Sequence, residues 1–536
     1  MLQMTNLSKL LLLVLFVISP YLGYSQFHTI SDLTLLKFEE KGTDYMYHKK
    51  LITDKGSYTL YSTLNKEQQV FLSFVPKNSS KEITINIKNI EVYVGYQSNN
   101  AMEYVDLIAD YRGDIWLFYS AYSSTKHRLF RKKVNIEKKG FDQGTLVAER
   151  MLINNNKGGD RNNKSVNFNI IQSESKKYLS VITFFNNEKE KCTNVFIDMI
   201  NENWKKEWKM SPTLSTYFSN PQNNLPNKIN IFKEKNLQVF NDGTLYGIQK
   251  LKNSSEKKDH YFSLYVFKKG EEQALVHTIR HEDKNIEDLR FIQNDNNNLI
   301  IAGYYDFKKS KVNNKIEGLY FMNLDLTKKE ILTETFTPFT RENIRDLWLP
   351  MSRPHFEDQK DFTKLQKELT REFESDPNYK LDDGFNISNI LQQANNTYTL
   401  ISENYSMNGG SRKGIQYINV NEYGKINWIK NHFRYHFINV NFPFSETLKV
   451  FNMDDSILMF YLDGNKLLSA EISMKGDTNF NIVFDPDSNK IYKKNYIYPG
   501  TIERLSSTDF IMHAFSRKII QSQKTFTLKI GTPKEQ

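Results

Sequence analysis

Short runs in which aromatic and β-branched residues alternate with polar ones recur along this chain, paired across tight polar turns. Val105–Tyr122 (VDLIADYRGDIWLFYSAY) is one pair, turning at Arg112–Gly113. Leu237–Gln249, Leu289–Tyr305 and Ile387–Tyr405 repeat the arrangement. A period of two puts successive side chains on opposite faces, which predicts strands. Asn, Asp and Gly between them supply the positive φ that tight hairpins require.

The turns recur along the chain. They fall near Asn65–Lys66, Arg112–Gly113, Lys176–Lys177, Asp242–Gly243, Asp295–Asn297, Asn395–Asn396, Asp454–Asp455 and Ser507–Thr508. Neighbouring turns lie about 46 to 66 residues apart, except for one gap of about 100 that contains Thr340–Gly384. Third and fourth strands follow the pairs, as in Ile316–Leu324 and Glu330–Phe336 after Leu299–Tyr305. Four short antiparallel strands at a period of about 50 residues predict an all-β fold, a β-propeller of seven or eight four-stranded blades. The first unit, Tyr58–Ile87, is ambiguous, and two or more β-sandwich domains are the competing architecture.

Thr340–Gly384 breaks the pattern. Phe362, Leu365, Leu369 and Phe373 recur at intervals of three and four, which predicts an amphipathic helix over Asp358–Glu374, stopped by Ser375–Asp376–Pro377. Asp346–Phe356 is apolar but irregular and holds two prolines. The segment reads as a helical insertion between blades, either a packed ornament or a lid or partner surface. Trp348 and His355 within it are the candidate ligand-binding residues.

Lys9, the apolar run Leu10–Ile18 and the small residues Gly23 and Ser25 predict a secretory signal peptide over residues 1–25, leaving 26–536 as a single propeller domain. Nine apolar residues fall well short of the roughly 20 that span a bilayer. Later apolar runs are all broken by Lys, Asn or Asp, so stable membrane insertion is not expected. The lone Cys192 excludes an internal disulfide and reads as a small buried residue. The formal charge of +10 is dispersed among acids along the whole chain. Nucleic-acid binders concentrate base on one stripe, so nucleic acid is not an expected partner. Aromatic residues make up 13%, as the facing sheets of neighbouring blades demand.

Chemical motifs are sparse. His277/His281 and His432/His436 are spaced by four without an accompanying HExxH, and no metal is expected there. Asp485, Asp487 and Asn489 alternate like calcium-loop oxygens, but Lys490 stands where Gly is needed and Tyr496 where a bidentate Glu would sit. No G-x-S-x-G elbow occurs, and no catalytic residue or cofactor is expected. Asn421–Trp428 (NEYGKINW) is similar to the docking repeat of quinoprotein propellers in Gly424 and Trp428. Asn421 replaces the usual Asp and no other blade carries the set, so this segment reads as a blade-edge hairpin turn.

In the leader ending Tyr24–Ser25–Gln26, the Lys/Asn/Tyr/Phe-rich body and the blade style of Ile301–Tyr305 and Lys315–Phe321, the chain resembles uncharacterised exported β-propeller-type proteins of Bacteroidota. That resemblance implies compartment and fold, and no activity. The expected function is a non-enzymatic binding or scaffolding module of the bacterial envelope, periplasmic, surface-bound or extracellular. It would be a monomer or part of a complex, with an envelope protein or glycan as partner. The alternative is a carbohydrate-active enzyme or lectin with its site at the central funnel. A purely structural subunit of an envelope complex is the third reading.

Overall fold

The computed structural model describes residues 34–531 apart from 44, 64–68, 78–80, 89, 92–101, 123–125, 152–167, 188–191, 215–235, 253–259, 309–314, 350–358, 378, 383–384, 406–410, 438–447, 454, 465, 486–494, 498, 505, 507–508 and 517–523. The described strands form eight sheets of four or more strands, antiparallel except where Ile90–Glu91 runs parallel to Met102–Ala109, and one two-stranded ladder. Seven sheets are each built from one continuous stretch of chain. Their first strands are Tyr45–Thr53, Met102–Ala109, Asn169–Gln172, Leu237–Val239, Lys284–Gln293, Phe385–Gln393 and Leu448–Asn452 (blades 1 to 7). The eighth takes Asn495–Ile497, Glu503–Arg504, Phe510–Ser516 and Lys524–Gly531 from the end of the chain and Thr34–Thr43 from its start. In that blade Thr34 pairs with Gly531 and Thr43 with Lys524.

The sheets lean on one another in chain order, which makes a propeller. Leu60 and Leu72 of blade 1 share a core with Leu107 and Leu117 of blade 2. Further clusters join blades 2 and 3, 3 and 4, 4 and 5, 5 and 6, 6 and 7, and 7 and 8. The ring closes where Tyr45–Thr53 touches Glu503–Arg504 and Lys524–Gly531. First strands of successive blades touch each other, as in blades 1 and 2, 3 and 4, 5 and 6, and 6 and 7, so they line the axis. Each fully buried Leu, Ile or Phe contributes about 1.5–3 kcal/mol. No blade could hide these faces alone: in Asn298–Phe307 every residue from Leu299 to Asp306 is buried, and in Ser456–Asp463 all are. Outermost strands are wetter, as Leu275–Ile279 and Glu330–Pro338 show.

An antiparallel meander places the first-to-second and third-to-fourth connections at one end of every blade and all others at the opposite end. The first end is a turn face. Five of its turns share one geometry, starting at Asp110, Asn201, Asn294, Asn421 and Ser473. In each, the side-chain oxygen accepts from the amides two and four residues on, at 2.8–3.2 Å. The fourth residue is left-handed: Gly113, Trp204, Asn297, Gly424 and Gly476. Turn donors are thereby satisfied by short local side chains. At Gly424 a Cβ would also lie 2.5 Å from Thr335 Oγ1 and 2.6 Å from Phe321 Cβ, so this turn of blade 6 docks on blade 5 only as glycine.

The other end is a loop face. At it lie the ends of the strands that flank the widest sequence gaps between blades, 152–168, 215–236 and 339–384. Two helices occupy the last of these, Arg341–Trp348 and Gln359–Ser375. The long one lies where the apolar spacing placed it, and the short one adds to what the sequence predicted.

Candidate functional site: the loop face and its helical insertion

The insertion is fastened to blades 5 and 6 at several points. Thr340 caps the short helix through Asn343 N–H, and the Asn343 side chain returns a bond to Thr340 N–H. Leu347 is buried in the core shared by blades 5 and 6, with Ile344 and Trp348 packed against it. Asn431 Nδ2 of blade 6 donates to Leu347 O at 2.9 Å. Arg341 lies over the Phe373 ring at 4.2 Å. It donates to the carbonyls of Phe373, Asp376 and Pro377 at 2.8–3.0 Å, satisfying the end of the long helix. Leu381–Asp382 then pairs with Lys315–Ile316 of blade 5, and Lys380 is bonded to Glu317 beside that ladder.

Between the helices lies an open groove of about 670 Å³. The long helix presents Thr363, Gln366, Lys367, Thr370, Arg371 and Glu374 to it. That is a polar stripe at intervals of three and four, beside the apolar stripe that holds the buried Phe373. The short helix contributes Arg345 and Asp346, and its C-cap Leu349 adds to the wall; Arg345 donates to Asp346 from Nε and Nη2 at 3.0 Å.

Beneath the short helix, blade 6 has a polar interior. Arg434 is completely buried and bonded to Glu403. Tyr417 Oη lies 2.8 Å from His432 Nδ1, and Gln416 Nε2 donates to Asn431 Oδ1 at 3.3 Å. Burial first and the Arg434 charge second hold the His432 imidazole down to a pKa of about 3. The hydrogen-bond chain Gln416–Asn431–Leu347 thus ties the blade interior to the helix that walls the groove.

The axial strands carry a second set of polar groups. In blades 1, 2, 5 and 6 a bulge interrupts the first strand at the same level. It inserts His48, Val105, Glu287 and Ser388, each three residues from the loop-face end. Bulges re-aim side chains, and here the residues around them bind neighbouring blades. Lys49 Nζ lies 2.5 Å from Asp106 Oδ1. Lys250 Nζ donates to Glu287 O at 2.8 Å and to its carboxylate at 3.0 Å. Asp288 accepts from Ile387 N–H at 2.7 Å and from Arg290 at 3.0 Å. Burial lowers the His48 pKa to about 4, with Ser62 Oγ 2.7 Å from its Nε2. Burial raises the Asp306 carboxyl to about 6, helped by Glu287 and Glu317 and opposed by its bond from Phe307 N–H.

The residues singled out from sequence are dispersed. Trp348 is half-buried, its ring 5.3 Å from Tyr379 and its indole N–H turned into the protein. His355, Asp487 and Asn489 lie outside the described residues. Asp485 pairs with Lys466 at 3.1 Å. His277 sits on an exposed outer strand, whereas His281 Nε2 approaches Glu334 Oε1 at 3.3 Å without hydrogen-bond alignment. Among the described residues no three or more His, Cys, Asp or Glu side chains are placed to share a metal ion. None of their helices is long and apolar enough to cross a membrane. Asn421–Trp428 is the blade-edge turn expected, and Trp428 Nε1 donates to Met474 O of blade 7 at 2.9 Å. The groove-facing stripe escaped sequence reasoning, although Lys367 and Arg371 at a spacing of four were its visible signal.

No family model matches this chain, and no curated protein matches it. Among solved structures it is similar to the polysaccharide lyase Uly1, at 10% identity and a TM-score of 0.39 over 90% of this chain and 89% of that one. It is also similar to the WD40 domain of SCAP from fission yeast, at 8% identity and 0.37 over 92% and 98%. A third is the β-propeller domain of the Trilobed protease from Pyrococcus furiosus, at 8% and 0.35 over 83% and 97%. At these scores the likenesses carry no argument about activity.

Proposed function

We propose that this chain is an exported binding or scaffolding propeller of the bacterial envelope that presents its loop face to a partner macromolecule, protein or glycan. One observation carries the reading: the insertion is anchored to blades 5 and 6, and its two helices wall an open groove of about 670 Å³. A groove fixed before binding loses little freedom when it is filled, which favours affinity from modest contacts. The turn face offers the contrast, since in five of its turns backbone donors are already taken by Asp, Asn and Ser side chains.

The test is site-specific photocrosslinking in intact envelopes. A photoreactive residue at Thr370 should give discrete adducts, and one at Lys475 on the turn face should give none. Adducts from position 475 with none from 370 would overturn the reading.

A further inference from the structure

Resting on that reading, we infer that the groove between the two helices takes an extended acidic peptide segment. Arg345 and Asp346 neutralise each other at 3.0 Å, which leaves Lys367, Arg371 and Glu374 as the uncompensated charges among the described lining residues. Lys367 and Arg371 are both exposed, and neither pairs with an acid among the described residues. Four residues apart on a helix, they stand about 6 Å apart along its axis. Like charges at that spacing destabilise a helix by a few tenths of a kcal/mol, and carboxylates laid along them relieve it.

The spacing selects the ligand. An extended peptide rises about 3.3 Å per residue, so alternate side chains on one face recur every ~6.6 Å. Acidic residues at positions i and i+2 therefore meet Lys367 and Arg371 in turn. The stripe from residue 363 to 374 is roughly 16 Å long, room for about five extended residues. Thr370 offers a hydroxyl group to the backbone between the charges, and Leu349 offers an apolar contact. Glu374 at the end of the stripe disfavours a further acid there, which fixes direction. A sugar chain would want an aromatic face, and none of the described groove-lining side chains is aromatic. The nearby Trp348 ring is spent on Tyr379.

The experiment is fluorescence anisotropy with the mature full chain. The probes are a labelled peptide with Glu at alternate positions, its Lys counterpart and a labelled oligogalacturonate. The acidic peptide should bind, weakening with salt, and K367E/R371E should weaken it about tenfold or more, since two attractions become repulsions. The Lys peptide should gain affinity for that variant, and Thr370→Trp should block the acidic peptide sterically without changing charge. Lys367 and Arg371 are exposed and Thr370 is half-buried, and circular dichroism checks the fold of each variant. Acidic-peptide binding that survives K367E/R371E, equal binding of the Lys peptide, or binding of the oligogalacturonate alone would each overturn the inference. If position 370 still crosslinks in envelopes while the acidic peptide fails to bind, the loop-face reading stands and this one falls.

Discussion

Gly303 tests the link between a bulge and an inter-blade bond. It lies in the second strand of blade 5 opposite Leu289, beside the bulge between Ile286 and Asp288. A Cβ there would sit 2.0 Å from Asp288 O and 2.4 Å from Leu289 Cδ2. The nearer obstacle is backbone, so no rotamer change relieves it and the bulge must move. Overpacking of this kind costs about 1–3 kcal/mol. Asp288 moves with the bulge, and its carboxylate accepts from Ile387 N–H at 2.7 Å, a bond of the charged class worth about 1.5–3 kcal/mol. Gly303→Ala should therefore cost about 3–5 kcal/mol, of which the blade 5–6 share is local. Gly270→Ala is the control: its φ is +86° with nothing within 4 Å, so it carries only the left-handed penalty of about 1–2 kcal/mol. Native-state amide exchange reads the difference residue by residue. The Ile387 amide should exchange roughly 10- to 100-fold faster in Gly303→Ala, and as in wild type in Gly270→Ala. Unchanged exchange at Ile387, with a melting temperature no lower than that of Gly270→Ala, would refute the coupling.

Three further outcomes follow from buried groups. Glu403→Ala removes the carboxylate bonded to the fully buried Arg434 and should cost about 3–5 kcal/mol by denaturant midpoint, whereas Glu403→Leu with Arg434→Met should recover most of it. Trp204 is left-handed at φ 61°, yet its ring meets the Arg131 guanidinium at 3.8 Å and Trp116 at 4.5 Å. Trp204→Gly should thus destabilise despite relieving the turn, and Trp204→Ala should be worse than Gly by about 1 kcal/mol. His48 is held near 4 when folded and at 6.5 when unfolded, so the unfolded chain takes up the proton first as pH falls. Stability from this group is level above pH 6.5 and drops by up to ~1.4 kcal/mol per pH unit down to about 4. His48→Gln should flatten melting temperature against pH in that window, and parallel curves would count against it.

The turns of blades 2, 4, 5 and 6 were legible because Gly113, Gly243, Asn297, Asn395 and Asn396 tolerate the positive φ they need, whereas in blade 3 Lys176 takes it; Asp454 of blade 7 and Ser507–Thr508 of blade 8 lie outside the described residues. Blade 1 was obscured. Its first turn is Asp54–Lys55, and its opening strand, Tyr45–Thr53, carries His48, Lys49 and Lys50 amid its apolar residues. The position near Asn65–Lys66 lies outside the described residues, between the second and third strands. The closing blade was hidden for another reason: pairing Thr34–Thr43 with Lys524–Gly531 is a contact across the whole chain, and no local pattern encodes it. The helix Gln359–Ser375 showed in its period, whereas the short one has only Ile344, Leu347 and Trp348 as apolar residues. Its signal was the pair Thr340 and Asn343, which cap each other. Whether Trp348 faces solvent or core is decided by Tyr379 and blade 6, and spacing along the chain is silent on it.

The two ends of the propeller divide the work by how their backbone groups are satisfied. Tight turns must supply their own acceptors, because buried donors left unmet are costly. Asp110, Asn201, Asn294, Asn421 and Ser473 do so within five residues, which leaves little backbone for a partner. Long connections escape that constraint and can vary without disturbing the sheets. The insertion uses this freedom while staying rigid, since Asn431 and Arg341 bond its helix ends. Thr34 and Gly531 pair at the turn face, on the side opposite the groove. Loss of binding on altering Lys475 in the turn face, with the groove intact, would place the interaction there instead.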